Sequence, residues 1–447
     1  MTSNSIEPIY GNTPPTWIMV TLGHLIDNRL AELQTGPFGT TLHASSYRST
    51  GTPVVAVKHI ENNRLNHDDL PRIDDETVQR LSRYRLLEND ILFGRKGSVD
   101  RRALIKAEEA GWLQGSDCIR LRFLDDKIFA RYISYVLGTS AYKDWVLRHA
   151  GGATMPSLNQ EILRLTPLPL PPLPEQRDIA RILGALDDKI ELNQRMNHTL
   201  EAMAQVLFKS WFVDFDPVTT KSEGRIPFGM SAEIAALFPG EFIDSELEAI
   251  PMGWKIGIID EVFNLIMGQS PPGETYNEIG EGIAFYQGRT DFGSRFPKPR
   301  IYCTAPTRFA NPGDTLVSVR APVGDINMAI EKCCIGRGLA SIRHKSGSQS
   351  YTYYAMHFLR DDFDVFEGEG TLFGSISSTG FRNIKIVVPP PKVIAEFERR
   401  ISPLSQAIEN NERQNVTLAS IRDALLPRLL SGEIRIKPKN GLTKPGQ

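Results

Sequence analysis

Apolar residues from Ile179 onward step by three or four, as Ile179, Ile182, Leu186 and Ile190 and then Leu200, Met203 and Leu207. That spacing keeps a stripe on one face of a helix and predicts one long helix through this stretch. Pro174 and Glu175 suit its first turn, where a missing N–H is harmless and an acid meets the positive end of the dipole. Pro217 is its predicted stop. From Glu175 to Phe212, at 1.5 Å per residue, the rod would be roughly 57 Å long.

The same pattern returns near the C-terminus at a constant offset of 218, with Pro171 on Pro389, Ile179 on Phe397, Leu186 on Leu404, Ile190 on Ile408, Leu200 on Leu418 and Leu207 on Leu425. Gly432 is its predicted stop. Each copy carries two asparagines on its apolar seam, Asn193 and Asn197 in the first and Asn411 and Asn415 in the second. Asparagine there costs stability but fixes register. In an antiparallel pair with matched centres, Asn193 would sit near Asn415 and Asn197 near Asn411.

The stretches before the two helices also match. Pro15-Thr16-Trp17 is answered by Pro251-Met252-Gly253-Trp254, Val55 to Ile60 by Phe285 to Arg289, and Glu88 to Val99 by Asn311 to Gly324, which sets Arg320 on Lys96. Gly152, Ser157 and Leu158 lie 218 before Gly370, Ser375 and Ile376. Asn89 to Phe93 reads as a strand, Ile119 to Phe123 as a half-buried strand by its alternation, and residues 76 to 87 and Phe129 to Leu147 as helical. Strands and helices mix without a strict βαβ rhythm, so the fold class is α+β. Two similar mixed α/β domains would be separated by two long antiparallel helices, an internal pseudo-twofold duplication. The expected divisions are an N-terminal segment 1–16, a first domain 17–170, a central long helix 171–215, a linker 216–250 with a short helix near Ala232 to Leu237, a second domain 251–388, a C-terminal long helix 389–432 and a tail 433–447.

With 447 residues, 41% of them apolar, the chain can bury two or more cores. Cys118, Cys303, Cys333 and Cys334 lack metal-ligand spacing, and such a scattered set suits a reducing cytoplasm. No apolar run approaches the ~20 residues that cross a bilayer, so a soluble, cytoplasmic protein without a membrane partner is expected. Net charge is −2; residues 22–170 hold 20 Lys/Arg against 18 Asp/Glu, and residues 254–386 hold 14 against 14. Any contact with nucleic acid must therefore come from local basic loops.

Several stretches resemble the specificity (S) subunit of type I restriction-modification systems. They are Leu168 to Asn193 (LPLPPLPEQRDIARILGALDDKIELN), Leu207 to Pro217 (LFKSWFVDFDP), Phe238-Pro239-Gly240-Glu241-Phe242 with Ile250 to Trp254, and Gly288-Arg289-Thr290-Asp291-Phe292. The second helix departs from the pattern, opening with Lys392-Val393-Ile394 where the first has Pro174-Glu175-Gln176. The resemblance implies two target recognition domains, each reading one half of a split site on double-stranded DNA. It also implies two methyltransferase (M) subunits docked on the chain and two nuclease-translocase (R) subunits added for restriction. Chemistry would belong to those partners, which bring S-adenosylmethionine, ATP and Mg2+; the chain itself would be non-catalytic and hold no cofactor.

The residues support that reading from below. A rod between similar domains converts protein length into spacing along a duplex, where base pairs advance ~3.4 Å, and twofold symmetry in a protein can match two half-sites. Side chains offering paired hydrogen bonds distinguish bases. The DNA-binding candidates are Lys58, His59, Arg95, Lys96, Arg101 and Arg102 in the first domain, and Gln287, Arg289, Arg295, Arg300, Arg320 and Arg337 in the second. Gly152 to Ser157 and Gly370 to Ser377 could hold phosphates through their backbone. Unlike loops in the two domains imply an asymmetric site.

Two other classes fit worse. A pure coiled-coil scaffold explains the helices but not two duplicated domains with basic turns. A self-sufficient DNA enzyme needs a site the sequence does not offer. There is no G-x-x-x-x-G-K-[ST] loop, Gly368 to Gly374 is rich in glycine but lacks the lysine, Asn311-Pro312 lacks the following Pro-aromatic pair of amino-methyltransferases, and Asp90 with Lys96 lacks a second carboxylate.

Overall fold

In each half of the chain, the central strand of the main sheet is mostly apolar and closed off from solvent. Ile91–Gly94 is buried throughout in one half and Thr315–Val319 in the other, as expected of strands covered on both faces. The computed structural model describes residues 9–11, 13–37, 41–151, 155–320, 322–360, 363 and 374–436. Gly152 to Thr154, Gly368 to Phe373, Ala321, residues 1–8 and the tail from 437 lie outside this set, and with them half of each phosphate-loop expectation. The chain forms two compact units, residues 1–191 with 415–447 and residues 192–414, so each unit takes half of each long helix.

The first unit opens with Ile18–Thr21, paired antiparallel with Pro167–Leu170, and turns into the helix Leu22–Asp27, capped by Thr21. Ala31–Thr35 then pairs with Cys118–Phe123, which pairs on its other side with Ile91–Gly94, followed by Arg102–Leu104. The second unit repeats this order. Lys255–Ile258 pairs with Lys385–Val388, and the main sheet runs Phe263–Met267, Leu339–His344, Thr315–Val319, Val323–Met328. A smaller sheet recurs too, with Thr52–Val55 parallel to Leu113–Gln114 and Ile283–Tyr286 parallel to Cys333–Ile335.

The repetition extends to single atoms. Asp90 accepts the Leu87 N–H at 2.7 Å and pairs with Arg122; Asp314 accepts the Asn311 N–H at 2.7 Å and pairs with Arg343. Alternation along Cys118–Phe123 predicted one wet face, and the structure corrects this. Arg120 is buried, donating to Glu32 at 2.7 Å and to the Arg83 and Arg85 carbonyls, and Arg122 grips Asp90 through two bonds of 2.7 Å. The polar face is a layer of ion pairs, with Arg120 and Asp90 buried and Arg122 and Glu32 partly exposed, not a row of free solvated cations. The helical stretches also break up. Asp75–Arg80 is followed by a tight turn at Ser82–Tyr84, and 129–147 divides into Ala130–Val136 and Ser140–His149, where Thr139 caps a new start.

The long helices span Leu173–Phe212 and Pro391–Leu430, 40 residues each. They run antiparallel. In the second unit Asn411 donates to Asn197 at 2.8 Å, Asn197 to Glu412 at 2.7 Å and Asn193 to Gln414 at 2.8 Å, while Phe397 meets the rings of Phe208 and Phe212. In the first unit Arg422 pairs with Asp187 at 2.8 Å and Arg435 with Glu175 at 2.8 Å. Pro217 does not stop the central helix. The helix has already ended at Phe212, Phe215 adopts a left-handed φ of 54°, and Pro217 stands in the first turn of a new helix, Asp216–Ser222, where its missing N–H is harmless. Gly432 does take the left-handed conformation just beyond the second helix, at φ 72°, as a C-terminal glycine should.

Candidate nucleic-acid interface

In the first domain the buried strand Ile91–Gly94 delivers the chain into a turn at Arg95 to Ser98. That turn is stitched to a neighbouring segment by Leu158 N–H to the Arg95 carbonyl at 2.8 Å, Gly97 N–H to the Pro156 carbonyl at 3.0 Å, and a bridge between Lys96 and Ser157. Gly97 has φ 76°, a conformation that favours glycine. Lys96 is exposed, its ammonium 3.7 Å from Asp117, and Arg101 is exposed just beyond. The second domain builds the same turn with Arg320, exposed and bridged to Ser375, while Ile376 N–H donates to the Val319 carbonyl at 3.1 Å. Ser318 Oγ donates to the Pro322 carbonyl at 2.8 Å and accepts the Asp325 N–H at 2.9 Å, which closes the hairpin.

Three loops meet here in each domain. In the second, Val319 N–H donates to the Gly338 carbonyl at 2.9 Å, and a Cβ on Gly338 would fall 2.3 Å from the Gln287 carbonyl, so only glycine permits the approach. The exposed side chains Gln287, Arg289, Arg320 and Arg337 thus belong to adjoining loops. In the first, Gly115 N–H donates to the Val55 carbonyl and Arg95 N–H to the Asp117 carbonyl, both at 2.8 Å, which brings together the loops of Lys58, Lys96 and Asp117. The scaffold is shared and the side chains differ. Where the second domain carries Arg337 and Gly338 ahead of its strand, the first carries Ser116 and Asp117.

Three candidates face inward. Arg102 is 5% exposed and donates to the Ser134 carbonyl at 2.7 Å; burial pulls its pKa down to about 10, which leaves it charged at neutral pH. Arg295, 3% exposed, donates to Glu201 at 2.5 Å, to the Tyr354 hydroxyl at 2.9 Å and to Ser405 at 3.2 Å, and its guanidinium lies 4.0 Å from the Tyr353 ring centroid. His59, 2% exposed, accepts the Ala56 N–H on Nδ1 at 3.0 Å. Burial, then the Lys58 charge, lowers its pKa, so the ring is neutral. The equivalent cap in the second domain is Asp291, which accepts the Gln287 N–H at 2.7 Å and also holds Arg300 at 2.6 Å. Arg102, Arg295 and His59 do not face outward as expected: all three are buried, the arginines donating to partners inside the fold and His59 accepting the Ala56 N–H. Asp90, once weighed with Lys96, is bound to Arg122 instead.

Two residues were missed. Asp325 and Arg360 join Arg289, whose Nε lies 2.6 Å from Asp325, with Arg360 3.6 Å from the same carboxylate. Arg360 follows a helix end and had no signal in the sequence; Asp325 was within reach, five residues past Arg320 in the duplicated turn. Among the described residues no group of three or more His, Cys, Asp or Glu could hold a metal, and no helix is long and apolar enough to cross a membrane.

The family model described as "Type I restriction modification DNA specificity domain" matches residues 29–202 and again 251–418, one match per repeat. The putative type I restriction enzyme MjaX specificity subunit of Methanocaldococcus jannaschii is 29% identical over 397 residues, covering 87% of this chain and 88% of that protein. The HindI specificity subunit of Haemophilus influenzae is 26% identical over 356 residues, covering 66% and 75%. The crystal structure of the type I restriction-modification S subunit from M. genitalium matches with a TM-score of 0.57 at 16% identity, over 94% of this chain and 96% of that one, and so shares the fold. With its two matched domains and the loop scaffold repeated between them, the chain belongs to the family of type I restriction-modification specificity subunits, the non-catalytic, DNA-sequence-recognising members of those systems.

Proposed function

We propose that the chain reads a bipartite, asymmetric site on double-stranded DNA, one half per recognition domain, and positions two methyltransferase subunits over it, with nuclease-translocase subunits joining for restriction. The observation that carries this is the basic turn stitched identically in both domains, Lys96 to Ser157 and Arg320 to Ser375, with different side chains on the adjoining loops. Identical scaffolds suit two equivalent placements on a duplex; different side chains make the halves of the site unlike. Lys58, Arg95, Lys96 and Arg101 serve the first half, and Gln287, Arg289, Arg300, Arg320 and Arg337 the second. The antiparallel helices set the spacing between halves, and S-adenosylmethionine, ATP and Mg2+ reside on the partners, all in the cytoplasm.

Docking of the methyltransferase has a surface to use. Leu192, Met196, Met203 and Val206 are exposed along the central helix and Val213 just beyond its end, at heptad spacing completed by Thr199 and Ser210.

Co-expression with the methyltransferase subunits, followed by mapping of methylated adenines across a genome, tests the reading. The expected motif has two unequal halves with a fixed gap, and a continuous or palindromic motif would overturn it. Arg320→Ala in the same assay should relax one half by about 1–3 kcal/mol of discrimination and leave the other intact; equal loss in both would point to a phosphate contact. The seam asparagines carry a separate expectation. Replacing Asn197 and Asn411 together by leucine should leave the melting temperature unchanged or raised, while the methylated motif acquires a second gap length. A single unchanged gap would show that these residues do not set the register.

A further inference from the structure

Arg289 and Arg360 stand at a cavity of about 300 Å³ in the second domain, with Asp325 between them. The carboxylate is mostly enclosed, at 15% exposure, whereas the two arginine side chains are 61% and 60% exposed. Asp325 is held from behind. Its N–H donates to Ser318 Oγ, and it follows Gly324, where φ is +86° and a Cβ would lie 2.9 Å from Phe363 Cβ. The acid is therefore fixed by its hairpin, and the cations are placed by the acid.

Asp325 lies beside Nε of Arg289 as an ion pair without a hydrogen bond, so its charge anchors the guanidinium while both terminal amino groups stay available as a fork. Such a fork matches the paired acceptors O6 and N7 on the major-groove edge of guanine. A phosphate would suit the site less well, because a carboxylate 2.6 Å from the guanidinium repels an incoming anion and is indifferent to a neutral base edge. Arg360 offsets part of the Asp325 charge without touching Nε. We propose that Asp325 is a positioning residue that holds Arg289 to read a guanine in the half-site of the second domain. This rests on the reading of the chain as a DNA-site reader and adds which side chain reads, which base it reads and what aims it.

The test uses the full chain assembled with its methyltransferase subunits, base-resolved methylation mapping, and competition binding among duplexes that differ at one base pair. Arg289→Lys keeps the charge and removes the fork; Asp325→Asn keeps the volume and removes the charge that aims it. In Arg289→Lys one G·C position in one half-site should lose about 10-fold to 100-fold of its discrimination. Asp325→Asn should relax the same position, by less, with the other half-site unchanged. Binding to an unrelated duplex should be the same for all three proteins. An unchanged motif in Arg289→Lys overturns the assignment even if the second variant fails to fold. Tighter binding of Asp325→Asn to every duplex, with the motif intact, overturns it in favour of a phosphate contact. A wild-type complex with no sequence preference would sink the underlying reading instead, so the two failures are distinguishable.

Discussion

Arg295→Ala should unfold the second domain before it alters recognition. The guanidinium donates to Glu201 on the central helix, Ser405 on the C-terminal helix and the Tyr354 hydroxyl, and it stacks on Tyr353. Removing it strands a Glu201 carboxylate that already has one oxygen shut away from solvent. Breaking a buried ion pair by deleting one partner costs about 3–5 kcal/mol, a large part of the 5–15 kcal/mol that holds a typical domain folded. For a unit of this size the melting temperature should fall by roughly 10 °C, read by calorimetry on the full chain. The double variant Arg295→Met with Glu201→Leu should recover most of that loss, since apolar replacement of a buried pair is commonly neutral or better. A single variant that melts normally and relaxes one half-site would return Arg295 to the DNA-contacting set.

Arg295 also marks where sequence reading stops. The long helices were legible in extent, because a three-and-four spacing sustained over ten turns admits one conformation, and the offset of 218 exposed the duplication without any structure; Met203, which that spacing puts on the stripe, is nonetheless 54% exposed. The polar partners were not legible. Alternation along Cys118–Phe123 says that two faces differ in chemistry, and it cannot say that the polar face meets Glu32 and Asp90 rather than water. Arg102, Arg295 and His59 lie in short strands and turns where no periodicity distinguishes an inward cation from an outward one. Their burial is decided by partners 32 to 110 residues away for the arginines and by a local cap for the histidine. Pro217 was misplaced for a related reason, since proline both ends helices and opens them, and only the left-handed Phe215 just before it decides which.

Met203→Glu with Val206→Glu should abolish assembly with the methyltransferase while leaving the chain folded. The central helix buries Asn193, Asn197, Ala204, Phe208 and Trp211 on one side and shows Leu192, Met196, Met203 and Val206 on another, with Val213 exposed just past its end and Val206 at 68% exposure. Exposed apolar residues scattered singly mean little, but a stripe sustained over three heptads is the face that a partner helix takes, and methionine adapts to an incoming surface at low cost. Since Met203 and Val206 are both more than half exposed in the free chain, the melting temperature should move little. Met203 and Val206 are 54% and 68% exposed, so burying what remains of them against a partner contributes about 2–4 kcal/mol together; their loss alone weakens association by roughly 30-fold to 1,000-fold, and two desolvated carboxylates add to the penalty. Co-purification with tagged methyltransferase subunits should fail, and adenine methylation should vanish from both half-sites at once, unlike the one-sided effect expected of Arg320→Ala. Normal co-purification of the double variant would place the docking face elsewhere and leave the stripe without a partner.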